Sequence, residues 1–185
     1  MIHPSPFIDE ILYSTRMTNN IDINEVTTQF RAFRDSFQSV LLATVDEHGK
    51  PEASYAPCIR DSKHIYVFVS ELSRHTTNLI HNPQVSLLFI EPENGARQAF
   101  ARRRLSYFAK VEEVARDSEP FAQLLDNFQQ QFGSIIDVLR GLKDFHLLKL
   151  VPQSGSYVAG FGKAFELAGD DLDNLRHIAS TVDKA

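Results

Sequence analysis

The 185-residue sequence holds one cysteine, Cys58, so no disulfide can form within the chain. That usage fits a reducing compartment. Long apolar runs are also missing: none approaches the roughly 20 residues a helix needs to cross a bilayer. The opening stretch, MIHPSPFIDEILYSTRM, has no basic region followed by an apolar core, so it does not read as a secretory signal. Internal repeats, low-complexity tracts and long linkers are absent. Excess positive charge is absent too. Nineteen Lys and Arg face 24 Asp and Glu, a formal charge of −5, which argues against general affinity for nucleic acid. These shortages point to a cytoplasmic protein whose partners are neither membrane nor nucleic acid. One further shortage is local. From Asn94 to Val111 there is no acid at all, yet there are five cations: Arg97, Arg102, Arg103, Arg104 and Lys110.

What is present suits one globular domain over residues 1–185, with a polar C-terminal tail over 169–185. Apolar residues make up 43% and charged residues 23%, a balance able to bury a substantial core. The stretch DINEVTTQFRAFRDSF places Val26, Phe30, Phe33 and Phe37 on one helical face, with Asp22 and Asn24 available as caps. SVLLATV, DEHGK and PEASYAPCIR read as strand, turn and strand, and IYVFVS follows as another strand. In LSRHTTNLIHNP, Ser73 can cap a short helix that Pro83 ends. QVSLLFIE and AFARRRLSYFAKVEEV read as further strands. Phe121, Leu124, Leu125, Phe128 and Phe132 then make a second amphipathic helix, stopped at Gly133. A shorter helix in SIIDVLRGL and closing strands in DFHLLKLVP, GSYVAGFG and KAFEL complete the chain. Six or seven short strands with two or three helices suggest a small β-barrel with helical additions. GFG at 160–162 marks a bulge or a close backbone approach.

The local run of arginines defines the candidate site. If 99–108 were extended, Phe100, Arg102, Arg104, Ser106 and Phe108 would share one face. Two guanidiniums beside two rings suit a flat aromatic ligand with carboxylates or phosphates. Pairing with acids on neighbouring strands, or an oligomer interface, is the competing use of such arginines.

Two stretches together resemble a known superfamily. LSRHTTNLIHNPQVSLLF (72–89) is similar to the phosphate-binding helix and following strand of the pyridoxamine 5′-phosphate oxidase-like, FMN-binding split barrels. SRHT, NP-VSLL and FARRRL, with YVAGFGKAFEL near the end, resemble its haem-utilisation (HugZ/HutZ-type) branch more closely. The resemblance implies an α+β fold, a six-stranded antiparallel split β-barrel with helical additions over 22–168, that forms a homodimer with ligand sites between protomers. In the flavin branch, residues placed like Ser73, Arg74 and His75 hold the FMN phosphate; here His75 stands where lysine is usual. In the haem branch, basic residues receive the propionates and a histidine near the C-terminus ligates iron. Arg102, Arg103 and Arg104 are the candidates for the first role and His177 for the second, with Asp144 as the acid that assists it. The expected ligand is haem, with FMN as the alternative. The expected activity is haem binding for haem-iron utilisation, extending to oxidative ring opening with an external reductant. The alternative is an FMN-dependent oxidoreductase.

Other chemistry is not legible. No close His-x-x-x-His pattern suggests structural zinc, and no Walker loop is present. Cys58, after Pro57 in a strand, reads as a core thiol.

Overall fold

A computed structural model describes residues 21–178 of the chain. Its elements run α1 (Ile23–Asp35), β1 (Ser39–Val45), β2 (Pro51–Arg60), β3 (Ile65–Ser70), α2 (Arg74–His81), β4 (Gln84–Ile90) and β5 (Arg104–Glu113). There follow α3 (Glu119–Phe132), α4 (Ile135–Arg140), β6 (Phe145–Gly160), β7 (Lys163–Ala168) and β8 (Asn174–His177). Short 3₁₀ turns at Glu93–Gly95 and Ala99–Ala101 lie between β4 and β5. The strands hydrogen-bond in the order β3-β2-β1-β4-β5-β6-β7-β8, and β6 also pairs with β3. The first six therefore close into the antiparallel split barrel that the sequence led us to expect. Closure leaves the barrel strands no free edge. Backbone contacts divide the chain into two compact units.

The larger unit, 37–89 with 106–154, contains most of the barrel. Its strands obey a period of two because each has one face in the barrel. In β1, Val40, Leu42 and Thr44 are buried while Ser39, Leu41 and Ala43 are exposed. β3 is buried on both faces: Tyr66 and Phe68 join Ile59, Leu147, Phe121, Leu125, Phe128 and Ile136 in a second core roofed by α3 and α4. Gly133, at φ 79°, ends α3 in the left-handed conformation that glycine tolerates. Arg116 then ties down the end of α4, donating to the carbonyls of Arg140 (2.9 Å), Leu142 and Phe145 (both 2.7 Å). Cys58 is buried, and desolvation, only partly countered by Arg60, pushes its thiol up to about 12. It is a core thiol, as its strand position implied.

The smaller unit holds 21–36, 90–105 and 155–178. Asp22 caps α1, accepting from the Asn24 and Glu25 amides at 2.9 and 3.3 Å. Val26, Phe30 and Phe33 are buried along α1, and Phe30 and Phe33 meet the Tyr157 ring at 5.3 and 5.7 Å between centroids. The helix stops at Asp35, so Phe37 leaves the predicted helical face and packs on Phe89 in the larger unit. β6 and β7 form a hairpin across Phe161-Gly162, with a register irregularity between Val158 and Gly160, the bulge foreseen at GFG. The polar stretch after Ala168 also adds an element. Residues 174–177 form β8, antiparallel to β7. The last residues of the expected tail, 179–185, lie outside the described residues.

Candidate functional site

The helix-start residues Ser73, Arg74 and His75 lie in the larger unit, at the turn from β3 into α2. Ser70 builds that turn. Its hydroxyl donates to Asp144 Oδ2 at 2.6 Å and accepts the Leu72 amide at 3.1 Å, while its carbonyl accepts from Thr76 Oγ1 at 2.6 Å. Asp144, named from sequence as an assisting acid, is thus already engaged in shaping this turn. Ser73 occupies the N-cap position, but its hydroxyl makes no capping bond. Arg74 is exposed and makes no ion pair among the described residues.

His75 differs from the role its position implied. It is 7% exposed, with Nδ1 3.0 Å from Ser54 Oγ. Burial depresses its imidazole below the usual value against the opposing pull of Glu52, so the ring is neutral at pH 7. It belongs to a polar underside of α2 that the sequence pattern did not reveal. Asn78 continues that side, donating to Thr44 Oγ1 at 3.0 Å and to Glu52 at 3.3 Å. Helical periodicity places His75, Asn78 and Leu79 on one face; only the strand partners show that two of these three are polar groups meeting polar groups.

At the same end of β3, opposite Val69, His146 sits between two carboxylates. Nδ1 lies 2.7 Å from Glu113 and Nε2 2.7 Å from Glu71. Desolvation alone would lower this histidine, but its hydrogen bonds to both carboxylates and their charges outweigh it and raise it. Nothing in the local sequence announces this triad, because its members are 33 and 75 residues apart.

The arginine run falls in the smaller unit, and its geometry departs from a continuous strand. Residues 99–101 form a 3₁₀ turn and β5 begins only at Arg104. Phe100, Arg102 and Arg104 therefore do not share a strand face. The reason is Glu91. Its amide donates to the Arg103 carbonyl at 2.9 Å, its carboxylate accepts from Arg103 Nε at 3.0 Å and Nη2 at 2.6 Å, and its carbonyl accepts from Arg102 Nε at 2.8 Å. Arg102 also reaches Glu93 at 3.1 Å, and the Arg103 guanidinium lies over the Phe33 ring, 5.3 Å from its centroid. Partial burial would raise the Glu91 carboxyl, but the Arg103 hydrogen bonds and the charges of Arg103 and Arg102 hold it below the usual carboxylate range. Arg104 is different. Its side chain is exposed and, among the described residues, makes only a 3.4 Å bond to the Arg102 carbonyl.

His177 lies on β8, within what the sequence showed only as a polar tail. It stands opposite Phe165, which in turn stands opposite Tyr157, so the three form one row across β6, β7 and β8. The ring centroids are 5.3 Å apart for Phe165 and His177 and 6.4 Å for Tyr157 and Phe165. His177 Nε2 and the Tyr157 hydroxyl are both buried without a hydrogen-bond partner among the described residues.

Comparisons with known proteins agree with this architecture. A family model described as Pyridoxamine 5′-phosphate oxidase matches residues 26–159. The chain is 43% identical over 150 residues to a protein of Vibrio cholerae named heme oxygenase HutZ, spanning 81% of this chain and 85% of that one. Among solved structures, HutZ from Vibrio cholerae, described as a heme storage protein, matches with a TM-score of 0.66 and 42% identity over 68% of this chain and 89% of its own. Campylobacter jejuni ChuZ matches with a TM-score of 0.80 and 31% identity over 95% of this chain and 72% of its own.

Proposed function

Because the chain belongs to the pyridoxamine 5′-phosphate oxidase family, and within it to the haem-utilisation branch, we propose that it binds haem and serves haem-iron utilisation in the cytoplasm. The observation that carries this reading is the likeness to HutZ, 43% identical over 150 residues. The chain's own residues fit such a ligand. Among the described residues, His177 offers an imidazole nitrogen that no group occupies, and Arg104 offers a guanidinium without a carboxylate partner. In this reading His177 Nε2 ligates the iron and Arg104 receives a propionate, as guanidinium forks suit carboxylates. Asp144 of the partner subunit assists the imidazole. Arg102 and Arg103 hold the segment that presents Arg104, through Glu91 and Glu93. When bound, haem would supply the oxygen chemistry of ring opening, with electrons from an external reductant.

FMN is disfavoured by one feature. The position that would carry a cationic lysine holds a buried, neutral His75 turned towards Ser54. Arg74 alone remains as a cation for a phosphate there, beside the Ser73 hydroxyl.

A homodimer fits the outer surface of the barrel. Tyr55 on β2, Leu41 on β1 and Leu88 on β4 are register neighbours in one row. Tyr55 is 66% and Leu41 42% exposed, and small Ala43, Ala53 and Ser86 make the next row. An apolar stripe on a closed barrel calls for a covering surface, and a twofold copy supplies the same stripe.

The test is a titration of purified protein with hemin and, separately, with FMN. A saturable Soret shift at micromolar hemin, with no response to FMN, is expected. Arg104→Ala should weaken hemin binding by about 1–2 kcal/mol, roughly five- to thirtyfold, as for loss of one charge-assisted contact. A flat hemin titration overturns the haem reading. A flavin spectrum that saturates overturns it in favour of FMN.

A further inference from the structure

Several features of the smaller unit concern the same short segment. β8 is a four-residue edge strand, paired to β7 only from Phe165–His177 to Ala168–Asn174, with one more bond from the Ile178 amide to the Ala164 carbonyl at 2.8 Å. Edge strands this short open at little cost. The turn leading into it is strained. Leu172 has φ 52°, a left-handed conformation that a branched, non-glycine residue adopts only when its surroundings impose it. What imposes it is a latch at Asp173, whose carboxylate is gripped by two arginines of α1. Arg31 donates from Nε at 2.8 Å and Arg34 from Nη1 at 2.9 Å. At the far end the His177 ring is stowed against Phe165 with Nε2 buried and without a partner among the described residues. A buried nitrogen without a partner destabilises the stowed state.

We propose that β8 is a releasable strap: it withholds the His177 imidazole in the ligand-free chain and parts from β7 so that this nitrogen can reach a haem iron. The inference rests on the reading of His177 as the iron ligand. A buried Nε2 cannot approach a metal while the ring is packed against Phe165 in the paired strand, so ligation and the β7–β8 pairing compete for the same side chain. The left-handed turn and the orphaned nitrogen both favour release, and the Asp173 latch opposes it. Haem capture then includes a step that is slower than diffusion and is set by the strap.

Two measurements test this on the full chain. In amide hydrogen exchange, hemin should deprotect residues 174–177 while barrel strands stay protected; protection at β8 that stays the same or rises on binding overturns the strap. In stopped-flow hemin binding, Asp173→Ala should speed capture roughly three- to tenfold, as expected for loss of a partly exposed ion-pair latch. A second variant works in the opposite direction. Glu166→Cys with Arg176→Cys, facing one another across β7 and β8, would form a cross-strand disulfide. Oxidised, it should lose the His-ligated Soret spectrum, and prior reduction should restore it; equal spectra in both states overturn the strap. His177→Ala separates the two layers. If that variant keeps the wild-type haem spectrum, the ligand assignment itself is wrong; if it loses the spectrum while the oxidised pair keeps it, only the strap is.

Discussion

Removing His146 should make the protein's stability respond to pH in a way that identifies its charge state. Each ring nitrogen lies 2.7 Å from a different carboxylate, so both must donate and the ring is held as imidazolium between Glu113 and Glu71. The histidine is raised in the folded protein. Its stabilising contribution is therefore complete below the unfolded value of about 6.5 and is lost as pH rises through the folded value. Magnitude follows from exposure. The His146 side chain is 19% exposed, but Glu71 is 58% and Glu113 55% exposed. Each half-solvated pair is worth about 0.2–1 kcal/mol, so the two together contribute about 0.4–2 kcal/mol. Urea unfolding of wild type and His146→Ala at pH 5.5 and pH 9 measures it. The mutant's deficit should be larger at pH 5.5 by about 1 kcal/mol and shrink at pH 9 to the loss of packing alone. Glu71→Gln with Glu113→Gln should abolish that difference. His75 works in the opposite sense: its lowered value means stability is lost as pH falls below the ordinary histidine range, in wild type and mutant alike. A His146→Ala deficit that is the same at both pH values would refute the imidazolium assignment.

Leu41→Asp, which places a charge in the exposed row with Tyr55 and Leu88, should convert a dimer to monomer in sedimentation without loss of far-UV circular dichroism. Glu91→Ala strips the acceptor from Arg103 and should cost about 1–3 kcal/mol in urea unfolding, because the groups it satisfies are partly buried. Phe128→Ala, at a fully buried ring in the core under α3, should cost about 3–5 kcal/mol in the same assay.

Local patterns carried much of the architecture. The four-three spacing of Val26, Phe30 and Phe33, the apolar run under α3 and the stop at Gly133 are written in neighbouring residues, because helices and turns are short-range structures. Strand pairing is long-range, so the barrel's closure between β3 and β6 came from the family resemblance and not from spacing. The arginine run shows where pattern misleads. Three cations between apolar residues look like one strand, but a carboxylate twelve residues earlier collects two of them and delays the strand to Arg104. His177 lies in a stretch whose sequence shows only a polar tail; its strand exists through pairing with β7, which no residue within 174–177 encodes. The His146 triad and the polar underside of α2 were invisible for the same reason.

The sole thiol of the chain sits inside the barrel at Cys58 and stays protonated at neutral pH. Preparations can therefore be handled in air without reductant and without cross-linked aggregates, and spectroscopic labels attached through engineered cysteines will report from the chosen positions alone.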